Sequence, residues 1–431
     1  MGESPTSPSR RRATLAQVQE PKAQDHETIA ASVAHVLADT RSDIQYVSIS
    51  GTHGPGLYTR GRLSPAEEGL GHDCLPSKCT KPGTPPSHAS FAVRLSLGLI
   101  FGVMEGHGSS GGQIANFAAN NVARQLLMHF DVLSELIARE TPSSVEQVKQ
   151  MIVQIFESAH GAIVASDDAQ VNLTTKKWFV PTPDDKAAFI DATSSGCCAM
   201  VGVVVRDQMV LANCGDAAGK LLMPSSSDPP RVRYNDTTPL PKPLRTRCSV
   251  ATINTQHVAS NREESDRISN LGGVCFQLSG DPCLRVFVNG RVFPGLTVSR
   301  SLGDIVAKEI GVIPTPDVYW VKLSNLEPGA TLVIATDAVW KYLSDGQGCD
   351  VVRDQDKHGA KSGAAHLNQL AAGKWNANND GFMGDLSTFV YWLPQSLEEI
   401  EHPSQDIVNR RSKSSNPQCA VKNIVWTRTI E

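Results

Sequence analysis

Residues 91–113 read Phe-Ala-Val-Arg-Leu-Ser-Leu-Gly-Leu-Ile-Phe-Gly-Val-Met-Glu-Gly-His-Gly-Ser-Ser-Gly-Gly-Gln. Phe91, Val93, Leu95, Leu97 and Leu99 alternate with smaller or polar residues, the period of a strand. Ile100-Phe-Gly-Val-Met carries the apolar run on to Glu105. A glycine-rich turn follows. From Gln113 to Phe130 the apolar residues Ile114, Phe117, Ala118, Val122 and Leu126 then recur at helical spacing. A buried strand thus stops on a carboxylate and a histidine and hands over to a helix.

Outward from this segment, Ser143–Ala165 reads as a second amphipathic helix, with Ser144 as cap and Gln147 three residues on. Upstream, residues 27–39 place Ile29, Val33, Val36 and Leu37 on one helical face, and residues 51–90 are a Gly/Pro-rich loop region. Downstream, three apolar runs (197–205, 209–213 and 220–223) are separated by Arg206-Asp-Gln and by Cys214-Gly-Asp-Ala-Ala. Such short connections require antiparallel hairpins rather than crossovers. A helix over Ser260–Leu271, ended by Gly272-Gly273, precedes a hairpin around Asn289-Gly290. A strand over Thr331–Ala335, a helix over Ala360–Ala372 and a strand over Leu386–Leu393 complete the pattern. Polar insertions are expected near 166–195 and 224–245. Helices and antiparallel strands without βαβ alternation give an α+β class.

The chain has 431 residues, 40% hydrophobic and 19% charged, enough apolar material for a substantial core. Lys+Arg 40 against Asp+Glu 44 gives a net charge of −4, so no nucleic-acid footprint is expected. No apolar run of about 18 residues is present, and none is expected to span a membrane. Ten cysteines in no zinc spacing read as free thiols in a reducing compartment, cytoplasmic or nuclear. Gly2 with Thr6 fits a loose myristoylation pattern, and Arg10, Arg11 and Arg12 could add an electrostatic hold on a membrane, although Glu3 argues against it.

Several apolar strands end beside an acid: Glu105, Asp216, Asp337 and Asp385, with Asp73 in the loop before the first of them. Converging carboxylates repel one another unless a cation neutralises them. Hard oxygen donors without His/Cys clusters suit magnesium or manganese.

The order of segments resembles the metal-dependent type 2C Ser/Thr protein phosphatases, the PPM family. The matching pieces are Phe101-Gly-Val-Met-Glu-Gly-His-Gly, Ser195-Gly-Cys-Cys-Ala, Ala212-Asn-Cys-Gly-Asp-Ala and Ser260–Gly273. Val288-Asn-Gly, Leu296–Asp304, Ile334-Ala-Thr-Asp-Ala-Val-Trp and Asp385-Leu-Ser follow. The resemblance implies a four-layer α/β/β/α sandwich, two antiparallel sheets flanked by helices, over 29–395. A disordered tail (1–28) and a C-terminal extension (396–431) flank it. It further implies two magnesium or manganese ions. Glu105 stands at the bridging ligand, Gly106 offers a carbonyl, Asp73 matches the metal-binding Asp of the first acidic motif, Asp337 matches a first-metal ligand and Asp216 matches a ligand of a third, weaker metal. His107 matches the general acid.

The departures are as informative. Glu105 replaces an Asp and moves the carboxylate by one methylene. His72 replaces an acid or amide beside Asp73. Lys341 stands where an acid is usual. The family's last Asp-Asn pair aligns with Gly384-Asp385, so Asp385 must shift to serve as ligand. Glu68 falls where a phosphate-gripping Arg belongs, which leaves Arg60 or Arg62 for that role. Arg300 is expected to pair with Asp304. Two functions follow from the resemblance. One is metal-dependent hydrolysis of phosphoserine and phosphothreonine in protein substrates, weakened or lost through these departures. The other is a pseudophosphatase, a scaffold that binds a kinase or phosphoprotein.

Overall fold

A computed structural model describes residues 34–50, 56–60, 65, 69–75, 87–165, 170–172, 177–181, 187–224, 248–327, 329–355, 358–378 and 384–393. The N-terminal tail with Gly2, nearly all of the insertion near 224–245, the C-terminal extension and Arg62 lie outside them. In chain order, helical residues 34–38 (α1) lead into β1 (Ile44–Ser50), β2 (Gly56–Thr59), β3 (Leu70–Leu75), β4 (His88–Leu95) and β5 (Gly98–His107). Helices α2 (Gly111–Arg139) and α3 (Pro142–Ala165) follow. Next come β6 (Gln170–Asn172), β7 (Lys177–Pro181), β8 (Ala187–Ile190), β9 (Gly196–Val205), β10 (Gln208–Cys214), β11 (Ala218–Pro224) and β12 (Cys248–Thr252). Helix α4 (Arg262–Asn270) precedes β13 (Gly273–Gln277), β14 (Leu284–Val288), β15 (Pro294–Leu296) and β16 (Leu302–Gly303). The chain continues through α5 (Ile305–Lys308), β17 (Asp317–Lys322), β18 (Thr331–Ala335), α6 (Asp337–Trp340), α7 (Asp345–Asp354), α8 (Ala360–Ala377) and β19 (Leu386–Trp392).

Two antiparallel sheets dominate. The eight-stranded sheet runs β17-β10-β9-β5-β4-β1-β2, with β16 paired to β9, and the five-stranded sheet runs β12-β11-β18-β19-β3. Side-chain parity sets the layers. On β5, Ile100 and Met104 join the core under α2 and α3, while Leu99, Phe101 and Val103 face the second sheet. On β18, Leu332 and Ile334 face the first sheet, while Val333 and Ala335 pack under α6, α7 and α8. Three apolar interfaces therefore stack as helices, sheet, sheet, helices, the expected α/β/β/α sandwich. A small sheet, β13-β14-β15, packs with α4 and α5 on its own core of Ile268, Val286, Ala307, Ile310 and Val312.

Several local expectations are corrected. The run 91–104 is a hairpin and not one strand: β4 and β5 pair around Ser96 and Leu97, and Leu97 is 63% exposed at the turn. Both strands are buried on both faces, so the apolar run continues almost unbroken and only Ser96 and Gly98 mark the turn. Helix α2 continues past Phe130 because Leu133, Leu136 and Ile137 extend its buried stripe. Thr141, and not Ser144, opens α3: the Ser144 amide donates to Thr141 Oγ1 at 3.1 Å and the Thr141 amide to Ser144 Oγ at 3.0 Å, a reciprocal cap. Val36 is exposed, and α1 buries Ala34, Leu37 and Ala38 instead. The insertion near 166–195 carries the three-stranded sheet β6-β7-β8 and the start of the segment leading into β9. Cys349, buried in α7, is disulfide-bonded, against the expectation of free thiols throughout, while Cys74, Cys197, Cys198, Cys214, Cys275 and Cys283 are free. Spacing along the chain says nothing about which cysteines the fold brings together.

Candidate active site

The strand ends that meet at one end of the inter-sheet cleft hold most of the chemistry-bearing residues. Glu105 and His107 share the parity of Phe101 and Val103, so β5 aims both into the cleft. Gly106 lies between them, where a Cβ would run into the carbonyl oxygens of Ser87 and Gly111, so only glycine lets β5, α2 and the entry to β4 approach this closely. Register places His88 opposite Glu105 on one side and Cys198 opposite it on the other. The His88 Nε2 to Glu105 Oε1 separation is 4.0 Å. Between β10 and β11 a turn brings up Asp216, whose Oδ1 accepts from Cys198 Sγ at 3.3 Å. From the second sheet, β18 ends two residues before Asp337, the first residue of α6, and Asp385 immediately precedes β19.

These acids see one another. Burial pushes the Glu105 carboxyl well above its ordinary range, and Asp216, Asp337 and Asp385 push it further. Glu105 Oε2 is buried without a hydrogen-bond partner. Burial and then Asp216 raise Asp337 to about 7. Burial also raises Asp216, against the hydrogen bond from Cys198. His88 is 3% exposed and burial holds it near 4, so it sits neutral beside Glu105.

His107 is fixed differently. Its Nε2 lies 2.7 Å from Asp304 Oδ2. The same carboxylate oxygen accepts from Ser301 Oγ at 2.5 Å, and Lys308 Nζ donates to Ser301 Oγ at 3.1 Å. Burial alone would lower His107, but the charge and hydrogen bond of Asp304 outweigh it and leave its pKa raised. Burial would likewise raise Asp304, yet His107 and Lys308 hold it below its usual value.

The remaining expected residues are held by other partners. Strand β3 pairs with β19 so that Asp73 lies opposite Thr388, and its Oδ2 accepts from Asn368 Nδ2 of α8 at 2.8 Å, on the outer face of the second sheet. Its neighbours in sequence face the cleft instead: His72 meets Ser387 Oγ at 2.9 Å, and burial lowers it to about 4. The Asp385 carboxylate accepts from the Ser87 amide at 2.8 Å and from the Ser87 hydroxyl at 2.5 Å. Gly384, at the family's ligand position, rests near Ala338. Lys341 Nζ lies 4.3 Å from the centroid of the Trp375 ring and 5.3 Å from that of Tyr342, and its charge acts to lower the Asp337 carboxyl against burial and Asp216. Arg60 is exposed, and its backbone amide bonds Gln45 O at the end of the sheet remote from Glu105, so it is not at a phosphate site. Among the described residues, no three His, Cys, Asp or Glu side chains form a group that could hold a metal ion. Nor is any described helix long and apolar enough to cross a membrane.

Asp304 is the functional residue that sequence reasoning misassigned. Arg300 pairs with Glu264 at 2.7 Å and Asp317 at 3.0 Å, which frees Asp304 for His107. Ser87 and Lys308 carried no motif signal. The signal that was present lay in Leu302-Gly303-Asp304 closing its segment: Gly303 has φ +81° and Asp304 φ +48°, a strained corner that turns the carboxylate back toward β5.

A family model described as "Protein phosphatase 2C" matches residues 107–374. The Probable protein phosphatase 2C 73 of Oryza sativa subsp. japonica is 28% identical over 286 residues, covering 64% of this chain and 61% of the rice protein. The Probable protein phosphatase 2C 61 of Arabidopsis thaliana is 30% identical over 190 residues, 43% of this chain and 50% of that protein. The matches thus span less than two thirds of either relative. Among solved structures, the serine-threonine phosphatase 2C from Toxoplasma gondii superposes with a TM-score of 0.56 at 13% identity, over 75% of this chain and 94% of that one, a likeness of fold. With its family model covering more than half of the sequence and its strands stacked in the same sandwich, the chain belongs to the type 2C Ser/Thr protein phosphatase family.

Proposed function

We propose that this chain uses the His107 end of its cleft to bind phosphoserine- or phosphothreonine-bearing protein segments, and that its metal-dependent hydrolysis of them is weak or absent. The observation that carries the reading is the disposition of two expected ligands. Asp73 is turned to α8 and bonded by Asn368, and Asp385 is held by Ser87. Glu105, Asp216 and Asp337 remain near one another, but they do not fit the two-ion magnesium or manganese centre that the family resemblance implies. His107 supplies a positive charge when protonated. Asp304 orients its ring through Nε2 and strengthens its hold on a proton, so the imidazolium presents its other nitrogen, Nδ1, as a donor to a phosphate oxygen. A phosphoprotein or a kinase carrying a phosphorylated segment is the partner this chemistry recognises.

One observation favours a second reading, an active phosphatase. The His107–Asp304 pair is intact, and a general acid so placed could protonate a leaving alkoxide. Glu105 Oε2 also lacks a partner, as a cation ligand would without its ion. The two readings separate on one assay: turnover of a small aryl phosphate and of a phosphopeptide with added manganese, beside His107→Ala. The expected outcome is phosphopeptide binding that weakens in the variant, with little or no turnover in either protein. Sustained turnover that falls by about 100-fold or more in His107→Ala would establish the enzyme and sink the proposal.

A further inference from the structure

Ser87 joins the two sheets at the acid end of the cleft. It stands at the entry to β4, in the first sheet, and both its amide and its hydroxyl donate to Asp385 Oδ2, in the second, at 2.8 and 2.5 Å. The partners are 298 residues apart in sequence, so this is a tertiary contact and not a local turn. Two donors on one carboxylate oxygen offset much of the cost of partly burying that charge. The other ends of both residues are fixed as well. Ser87 O accepts from the Gly106 amide at 3.1 Å, which sets the backbone between Glu105 and His107. Asp385 O accepts from Thr336 Oγ1 at 3.3 Å, next to Asp337, and that hydroxyl in turn accepts from the Ser387 amide at 3.3 Å. One serine is therefore linked to the backbone or side chain beside Glu105, Asp337 and Asp385 together.

We infer that Ser87 is an internal clasp that takes the place of a divalent cation at Asp385, closing the cleft end and leaving the folded chain independent of metal. The inference rests on the proposed function in one respect, the misfit of the two-ion centre, and extends it by naming the group that satisfies the acid instead. Its physical logic is competition. An ion that takes Asp385 Oδ2 must first displace two hydrogen bonds, both charge-assisted because they end on a carboxylate oxygen. Removing the hydroxyl weakens the clasp and uncovers the oxygen.

The test compares the wild type, Ser87→Ala and Ser87→Thr as full chains, by thermal unfolding in EDTA and in manganese chloride and by calorimetric titration with manganese alone. The expected wild-type Tm is the same in EDTA and in manganese. Ser87→Ala should lose about 3–6 °C in EDTA and recover a good part of it in manganese. Its manganese affinity should be about tenfold or more above that of the wild type. Ser87→Thr, which keeps the hydroxyl, should follow the wild type, and Asp385→Asn added to Ser87→Ala should abolish the manganese response. A wild-type Tm that rises with manganese as much as that of Ser87→Ala would overturn the inference. So would a Ser87→Ala Tm unchanged in EDTA. Neither readout involves turnover, so phosphopeptide hydrolysis by the wild type would sink the proposed function while leaving the clasp to be judged on Tm and affinity.

Discussion

Glu264 is the anchor of the largest charged network in the described structure, although it sits in α4, outside the cleft. It is 2% exposed and accepts from Arg267 Nη1 and Nη2 at 2.9 and 2.7 Å, from Arg300 Nη2 at 2.7 Å and from Ser299 Oγ at 2.5 Å. Burial alone would raise its pKa, but these donors outweigh it and hold the carboxyl near 2. The folded value lies below the unfolded one, so the network's stabilisation is present above about pH 4.5 and is lost as pH falls toward 2. Glu264→Gln should therefore destabilise the chain by about 3 kcal/mol at pH 7, because the buried Arg300 and half-buried Arg267 guanidinium groups lose their shared anion. The gap from the wild type should shrink steadily in urea titrations between about pH 4.5 and 2.5. A gap that stayed constant with pH would mean the carboxylate charge is not what matters. This network also explains why Arg300 was misread. The sequence offers Asp304 four residues away, whereas the fold supplies Glu264 from 36 residues upstream and Asp317 from the edge strand. Local spacing favours near partners; burial selects for acids whose other lone pairs are already satisfied.

At the scale of elements, β3 decides how much of the expected site assembles. Leu70 faces the inter-sheet core and Leu75 packs against the helical layer, so parity sends His72 and Cys74 inward and Asp73 outward. Only the two ends of this six-residue strand are apolar, and they lie on opposite faces, so alternation in the sequence could not tell which residue faces the cleft. By contrast, β5 ends at Glu105-Gly106-His107, where the sequence places the end of its apolar run, and the structure adds the face: Leu99, Phe101 and Val103 share it with Glu105 and His107. Asn368 closes the β3 register from the α8 side. Fully buried, it donates to Asp73 O and Oδ2 at 3.0 and 2.8 Å and accepts from Thr388 Oγ1 at 2.7 Å. Asn368→Ala leaves the Asp73 carboxylate and the Thr388 hydroxyl without these bonds and should cost about 1–3 kcal/mol. Hydrogen exchange should localise the loss to β3 and β19, with β5 and α2 unchanged. Uniform loss of protection across the chain would show that α8 is not a separable clamp.

For the whole molecule, the sandwich depends on three apolar interfaces, and the middle one both joins the sheets and sets the spacing of the cleft. Phe101 is its central contact. It is fully buried, stacks on Phe389 of the opposite sheet with centroids 5.0 Å apart, and meets Tyr391 edge-on at 6.0 Å. Gly202 on β9 makes room beneath it, since a Cβ there would strike the Phe101 ring. Patterning in the sequence reaches the α+β class, and the family resemblance implies the four layers; neither gives the residues that pair the two sheets, which meet through contacts such as this one between positions far apart in the chain. Phe101→Ala should therefore lower unfolding stability by about 3–5 kcal/mol, from lost burial plus the cavity left between two sheets that cannot both close in. Because Phe101 lies on the same face of β5 as Glu105, the cavity should also loosen the Ser87–Asp385 contact, seen as faster exchange of the Ser87 amide than in a variant of equal stability elsewhere. Met128→Ala, 68% exposed on α2, serves as the control and should change stability by no more than about 0.5 kcal/mol. If Phe101→Ala left the Ser87 amide as protected as the control does, the middle layer would bind the sheets together without setting the geometry of the site.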